Sequence, residues 1–157
     1  MTIGGTLAFT TERLRRRRAA NQRARTVLHS IVHELELNHE VMTIARPDFK
    51  STEYGKSFFI QTVAWETALA SEQLPNIIGF RLADVISSQY GLLLKLRHYG
   101  DLMVKVWLTT PGIEGYREIQ AGFRTIIAET MDQAMENHPD VMKQIRDHQQ
   151  TLQSRKL

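Results

Sequence analysis

Apolar residues recur at helical spacing over residues 11–42, a stretch that contains neither proline nor glycine. Steps of four and three bring residues onto one face of an α-helix, because the helix repeats every 3.6 residues. The pattern predicts one long helix over residues 11–42, half solvated and half packed. Its packed face consists of Ala24, Leu28, Ile31, Leu35, Asn38 and Met42, with Val27 and Val32 beside it.

Two polar residues lie on the packed side of this helix. Asn38 is part of the stripe, and Glu34 lies about 60° from its centre on a helical wheel. A buried amide without a hydrogen-bond partner costs about 1–3 kcal/mol, so Asn38 needs a partner, which we expect to be Glu34 or a side chain on a facing helix. Polar pairs of this kind typically fix the register of packed helices. We therefore interpret Glu34 and Asn38 as a polar pair in the core.

The middle of the chain predicts two further helices. Pro47 disfavours a helical conformation in the residue before it, so residues 46–55 are predicted to be a loop. A second helix is predicted over residues 56–71, with Trp65 as its main core residue. Its apolar stripe consists of Phe58, Thr62, Trp65 and Leu69, with Phe59 and Val63 beside it.

A third helix is predicted to begin near Pro75, since proline is favoured in the first helical turn. Its stripe runs from Ile78 to Leu96. Residues 102–108 alternate as a strand would, but the chain offers no second strand to pair with them. We therefore interpret them as a continuation of the third helix past a kink at Gly100.

The last third of the chain predicts a fourth helix over residues 113–136 and a short fifth helix over residues 141–152. Pro139 separates the two. The fold class is therefore all-α, an antiparallel bundle of four main helices with a long basic first helix and a short C-terminal fifth helix. The bundle domain is predicted to cover residues 13–153, and residues 154–157 are predicted to be a disordered tail.

The chain has 157 residues, which fits one domain with a sizeable core. It contains no cysteine, which excludes disulfides and thiolate zinc sites.

Charge is concentrated near the N-terminus. Residues 12–25 together carry a net charge of +6. Because the net charge of the whole chain is +3, the remaining residues together carry −3. A block of this kind is typical of an arm for anionic partners, which we expect to be lipid headgroups or another polyanion, with nucleic acid as the alternative. The predicted anion-binding residues are Arg13, Arg15, Arg16, Arg17, Arg18, Arg23 and Arg25.

Residues 1–12 form an apolar segment whose first ten residues carry no charged side chain. Ten residues are about half of a membrane span. The basic residues follow the apolar run, whereas in a secretory signal they precede it. An apolar run followed by arginines is typical of the cytoplasmic end of a membrane span, so we expect a cytoplasmic protein at the membrane face. An ordinary disordered N-terminus is the alternative.

Two sets of residues have a spacing that could indicate a metal site or a catalytic pair. His29, His33, Glu36 and Glu40 share one helix face with metal-ligand spacing, but that face lies opposite the packed stripe. Arg23 and His29 resemble the arginine-to-histidine spacing of helical ribonucleases found in toxin pairs, yet on a helix they diverge by about 120°. No phosphate loop or nucleophile elbow is present. We predict no catalytic residue, cofactor or metal.

The chain also resembles a loosely defined group of uncharacterised bacterial proteins, over roughly residues 13–99. The resemblance rests on the run VHELELN at residues 32–38 behind a basic flank, on Ala64 and Trp65 before a turn with Leu74, and on a helix bearing Tyr90. It implies an N-terminal membrane span followed by a cytoplasmic helical domain, and it brings no known activity.

These observations favour a non-enzymatic interaction or assembly module at an anionic membrane surface, acting with a protein partner or a second copy. A nucleic-acid-associated protein that uses the arginine arm on phosphates is the alternative. A helical ribonuclease has less support.

Overall fold

The computed structural model describes residues 3–50, 58–71, 74–109 and 115–154, without the side chains of residues 3–10 and Asn76. All regular secondary structure in this part of the chain is helical. The helices are α1 (Ile3–Lys50), α2 (Val63–Ala70), α3 (Leu74–Ile78), α4 (Phe80–Thr109) and α5 (Tyr116–Ser154). The predicted all-α class and the long first helix are confirmed.

The helices α1 and α5 pack along each other in opposite directions. Arg25 near the start of the α1 interface lies beside Leu152, and Arg46 near its end binds Asp132. The predicted stripe of α1 faces this interface, and each of its six residues is buried, from Ala24 to Met42. Ala24 is the first buried residue among the described side chains of α1, and residues 11–20 before it are all exposed.

The helix α4 also packs along α5 in the opposite direction. Gln89 donates to the carbonyl of Ala134, and the rings of Tyr99 and Phe123 lie 6.1 Å apart. The core between the three long helices contains fully buried side chains from each of them, including Ile31, Ile86, Leu93, Ile127 and Ile145.

The predicted loop at residues 46–55 is wrong at its start, because α1 continues through Pro47 to Lys50. The last turn of α1 is held by its packing, since Phe49 is buried. Arg46 and Lys50 also bind Asp132 of α5, with 3.0 Å between Lys50 Nζ and the carboxylate. These contacts offset the backbone hydrogen bond that proline cannot make. Residues 51–55 lie outside the described residues.

The predicted second helix is shorter than expected. Residues 58–62 are not helical, and α2 begins at Val63. Trp65 is buried as predicted, but Phe59, Val63 and Leu69 are exposed. The predicted stripe assumed one helical repeat through residues 58–62, where the chain instead runs beside α1. Residues 56 and 57 lie outside the described residues.

The predicted third helix is divided at Gly79, whose φ of 85° separates α3 from α4. Glycine adopts this left-handed conformation without the steric cost that a Cβ would bring. The helical interpretation of residues 102–108 is confirmed, since α4 is continuous to Thr109. At Gly100 the ring of Phe58 lies 3.3 Å from where a Cβ would be, so a larger residue there would require this ring to shift by a few tenths of an ångström.

The predicted fourth and fifth helices are one helix, α5, and the predicted break around Pro139 is wrong. Residues on both sides of this proline are buried, among them Ala134, Val141 and Met142. Their burial keeps the helix continuous at the position where the proline removes one backbone hydrogen bond. Ser154 ends α5 and is not part of a tail, and residues 113–114 and 155–157 lie outside the described residues.

Candidate functional site: an exposed basic stem and a buried polar cluster

Residues 11–23 of α1, called the stem here, extend the helix beyond the bundle. A helix rises 1.5 Å per residue, so the stem is about 20 Å long. Residues 11–20 are all exposed, including Leu14, whose exposed fraction is 53%. The stem therefore has no apolar face packed on the rest of the described chain.

The arginines of the stem surround the helix. At about 100° per residue, Arg13 and residues 15–18 leave no angular gap wider than about 100° between neighbouring cations. Within the stem, Arg16 donates to Glu12 over 2.9 Å, one turn earlier, and both side chains are largely solvated. Pairs of this kind contribute little to stability, so the stem keeps a dense positive potential on every side.

The predicted anion-binding residue Arg25 has a different environment from the stem arginines. It is half-buried, and its Nη2 donates to the carbonyl of Leu152 over 2.9 Å. The last carbonyls of a helix have no partner within the helix, and a cation there also favours the negative end of the helix dipole. In the structure Arg25 thus closes the end of α5, while Arg23 is exposed.

A second feature lies in the core and consists of Glu34, Asn38, Trp65 and Tyr90, called the polar cluster here. Glu34 is 4% exposed and accepts three hydrogen bonds. The backbone N–H groups of Ala64 and Trp65 donate to it over 2.8 and 3.4 Å, and the hydroxyl of Tyr90 donates over 2.7 Å. A carboxylate of α1 therefore caps the N-terminus of α2, where Thr62 forms no side-chain cap.

Asn38 binds the backbone of the residue just before α2. Its Nδ2 donates to the carbonyl of Gln61 over 2.7 Å, and its Oδ1 accepts from the N–H of Gln61 over 2.8 Å. The predicted burial of Asn38 is confirmed, but the predicted partner is wrong. Glu34 and Asn38 position residues 61–65 on α1 by binding their backbone. This differs from the predicted role, in which the pair would fix the register of two packed helices.

Trp65 and Tyr90 complete the polar cluster by stacking. Their ring centroids are 4.9 Å apart and their planes differ by 9°. Burial, and then the hydrogen bond to Glu34, raise the pKa of Tyr90 far above its ordinary value, so this hydroxyl stays protonated and donates. The carboxylate of Glu34, the amide of Asn38 and the hydroxyl of Tyr90 thus all have partners within the protein.

A second hydrogen-bonded network, which joins the buried Thr62 to two more exposed side chains, supports the same segment from α4. Thr62 donates to Glu66 over 2.7 Å, and Arg97 donates to both residues, over 3.0 Å to Glu66. The hydrogen bond from Thr62, and then that from Arg97, lower the pKa of Glu66. The start of α2 is therefore bound by α1 on one side and by α4 on the other.

The residues considered for chemistry remain apart. A groove of about 610 Å³ between α1 and α2 is lined by His29 and His33, with Glu34 beneath them. Over the described residues no group of three or more histidine, cysteine or acidic side chains could hold a metal ion. Arg23 and His29 are both exposed and form no shared site.

Sequence reasoning missed several functional contacts. Residues 61 and 64 enter the polar cluster through backbone atoms, which carry no sequence signal. Thr62 and Arg97 carried no motif that linked them. The stacked pair of His39 and His138, with ring centroids 4.3 Å apart, was also missed, because α1 and α5 bring together residues that are distant in sequence.

No protein-family model, curated protein or solved structure matches this chain. The resemblance noted in the sequence therefore stays a prediction. The structure does bring together four residues that carry it, Glu34, Asn38, Trp65 and Tyr90. None of the helices, over the residues described, combines the length and the apolar character needed to cross a bilayer.

Proposed function

We propose that the protein is a non-enzymatic interaction or assembly module, an antiparallel helical bundle that binds an anionic membrane surface through its stem. The observation that supports this proposal best is the exposure of all of residues 11–20. Among these ten residues five are arginines, and none of them makes an ion pair with α4 or α5 among the contacts described. Cations held outside a fold and unneutralised by it are available to an external anion.

The residues before the stem favour lipid over nucleic acid as the anion. Residues 3–10 belong to the same helix and carry no charge. An uncharged helical turn followed by arginines matches the order of hydrocarbon and headgroups at a membrane surface. The stem has no aromatic residue that could stack on bases, which single-strand binders use.

The expected binding is electrostatic and depends on salt. Each arginine close to an anionic leaflet contributes about 1 kcal/mol, and this contribution falls off within a Debye length of about 8 Å at physiological ionic strength. The side chains of the polar cluster are buried and bind the start of α2, so we assign them a structural role. We place the module on the cytoplasmic face, where anionic lipids and basic flanking segments occur together.

The test is co-sedimentation of the full chain with vesicles of neutral lipid or of neutral lipid mixed with phosphatidylserine. A variant with Arg13, Arg15, Arg16, Arg17 and Arg18 changed to glutamine should bind anionic vesicles at least ~10-fold more weakly. The matched control changes five exposed basic residues of the bundle to glutamine and should bind as the parent does. Its positions are Arg81, Lys95, Lys105, Arg117 and Lys143.

Equal loss of binding in both variants would show that net charge and not the stem is responsible. Binding that does not distinguish anionic from neutral vesicles would contradict the proposal. Tighter binding to a duplex or single-stranded oligonucleotide than to vesicles at the same salt concentration would favour the nucleic-acid alternative.

A further inference from the structure

Two imidazole rings meet in the middle of the interface between α1 and α5. His39 of α1 and His138 of α5 stack with ring centroids 4.3 Å apart and planes 25° apart. The Nδ1 atom of His138 is buried and has no hydrogen-bond partner. A buried nitrogen that neither donates nor accepts gains nothing from a proton, so this arrangement is built for the neutral ring.

Two neighbouring groups disfavour a proton on His138. His39 lies on α1, and Arg146 lies two turns further along α5. Arg146 has a distant partner in Glu36 of α1, at 3.8 Å, and both side chains are more than half exposed. On the α4 side the contact near this level is made by the uncharged Gln89. Glu36 is the carboxylate among these groups, and the contact described for it is with Arg146 and not with His138.

The helix is also weakened at this position. Pro139 follows His138 directly and lacks the N–H that would bond to the carbonyl of Met135. Beyond it, residues 140–154 contribute the buried side chains of Val141, Ile145 and Leu152 to the core, and Arg25 of α1 donates to the carbonyl of Leu152. A helix that lacks one backbone bond can bend there at lower cost than elsewhere along its length.

We propose that the stacked pair of His39 and His138 is an acid-sensitive clasp between α1 and α5. Protonation of His138 opens it, and residues 140–154 of α5 then move away from α1 about a hinge at Pro139. Release uncovers the apolar stripe of α1 from Ala24 to Leu35, next to the stem. The device thus changes which surface the bundle presents at the stem end of the molecule. The inference does not depend on the function proposed for the stem.

The direction of the pH dependence follows from linkage. Burial first, and then the neighbouring His39 and Arg146, lower the pKa of His138 to about 4 in the closed structure. In an opened, solvated state the ring returns toward its ordinary value of about 6.5. The open state therefore binds the proton more tightly, and its population rises as the pH falls from about 6.5 to about 4, by at most ~10-fold per pH unit.

The absence of cysteine from the chain permits site-specific spin labelling. One label pair, at Gln22 and Gln153, spans the end of α5 that should move. A reference pair, at Thr43 and Glu129, spans the other end of the same interface, and all four positions are exposed. Distances between the labels are measured by double electron–electron resonance at about pH 7.5 and about pH 5, on either side of the ordinary histidine pKa.

The expected result is a longer distance component at about pH 5 for the pair at Gln22 and Gln153, with no change in the reference pair. His138→Phe keeps an aromatic ring without the titrating nitrogens and should abolish this response. His29→Phe removes an exposed imidazole from α1 and should leave the response intact. If His138→Phe does not fold at neutral pH, His39→Phe takes its place, since it removes the other ring of the stacked pair.

Three outcomes would overturn the proposal. The distance at Gln22 and Gln153 could stay the same at both pH values. Both label pairs could lengthen together, which would mean global unfolding. His29→Phe could suppress the response as strongly as His138→Phe, which would mean that the clasp is not the sensor.

Discussion

Glu34 determines how α2 joins the bundle. It is a single carboxylate, 4% exposed, that accepts from two backbone N–H groups and from Tyr90. Hydrogen bonds to a charged group contribute more than neutral ones, and the donors are buried when the carboxylate is removed. We therefore expect this position to tolerate substitution poorly.

Glu34→Ala should lower the free energy of unfolding by about 3 kcal/mol, because buried donors lose their acceptor. Glu36→Ala is the matched control, since Glu36 lies on the same helix with an exposed side chain. It should change the stability by less than about 0.5 kcal/mol. Urea denaturation followed by circular dichroism measures both, and equal effects would contradict the role of Glu34 as a cap.

Trp65→Ala should cost about 3–5 kcal/mol, since the ring is 3% exposed and stacks on Tyr90. The chain offers a matched control in Trp107, whose exposed fraction is 56%. Trp107→Ala should have a small effect on the thermal unfolding midpoint. A midpoint for Trp65→Ala that stays within error of the parent protein would show that the stacked pair does not stabilise the core.

At this scale the sequence predicted that Glu34 and Asn38 are buried but not what they bind, and it did not predict the burial of Gln89. The helical stripe put Asn38 in the core, and Asn38 is 1% exposed. Its partner is the backbone of Gln61, in a segment that is not helical. A periodicity argument describes side-chain positions on a helix and is silent about backbone groups of a neighbouring extended segment.

Among the elements, prolines were the main source of wrong boundaries. Both Pro47 and Pro139 lie inside helices. The local rule states the cost of a missing hydrogen bond, about 3 kcal/mol, but packing on both sides of the proline can offset it. Phe49 beyond the first proline and Val141 beyond the second are both buried. These tertiary contacts cannot be read from the local sequence.

Substitution of glycine by alanine should change the stability of the protein in opposite directions at Gly79 and at Gly91. Gly79→Ala should destabilise the protein by about 1–2 kcal/mol, because φ is 85° and an alanine there is strained. Gly91→Ala, within α4, should stabilise it by about 0.5–1 kcal/mol. Neither added Cβ would meet a heavy atom within 4 Å, so steric overlap does not complicate the comparison.

Differential scanning calorimetry of the two variants tests this prediction. A loss of stability at both positions would mean that Gly91 is needed for a contact that the added methyl group disturbs. A gain at both would mean that the separation of α3 from α4 at Gly79 does not require the left-handed conformation.

The whole molecule is longer than a compact chain of its size. With 48 residues, α1 spans about 72 Å. A globular domain of 157 residues has a radius of gyration of about 15 Å. Small-angle X-ray scattering should give a value well above this, because the stem stands outside the bundle. A value close to about 15 Å would show that the stem folds back on the body in solution.

At the scale of the whole chain, composition was a better guide to the structure than local patterns were for single residues and helices. The charge asymmetry between residues 12–25 and the remaining residues indicated a separate basic element, and the structure has residues 11–20 exposed. The element count was less predictable, since it depended on the wrong proline boundaries. The meeting of His39 and His138 depends on the alignment of two helices, which local patterns do not specify.

The uninterrupted backbone of α1 between the stem and the bundle makes the helix a lever with a fixed rotational phase. No glycine or proline lies between Thr11 and Met42 to absorb a twist. One residue inserted near Gln22 would turn the bundle by about 100° relative to whatever holds the stem, and would move it outward by about 1.5 Å. The rotational orientation of the bundle relative to the arginines is therefore set by the number of residues that separate them from Ala24, the first buried residue among the described side chains of α1.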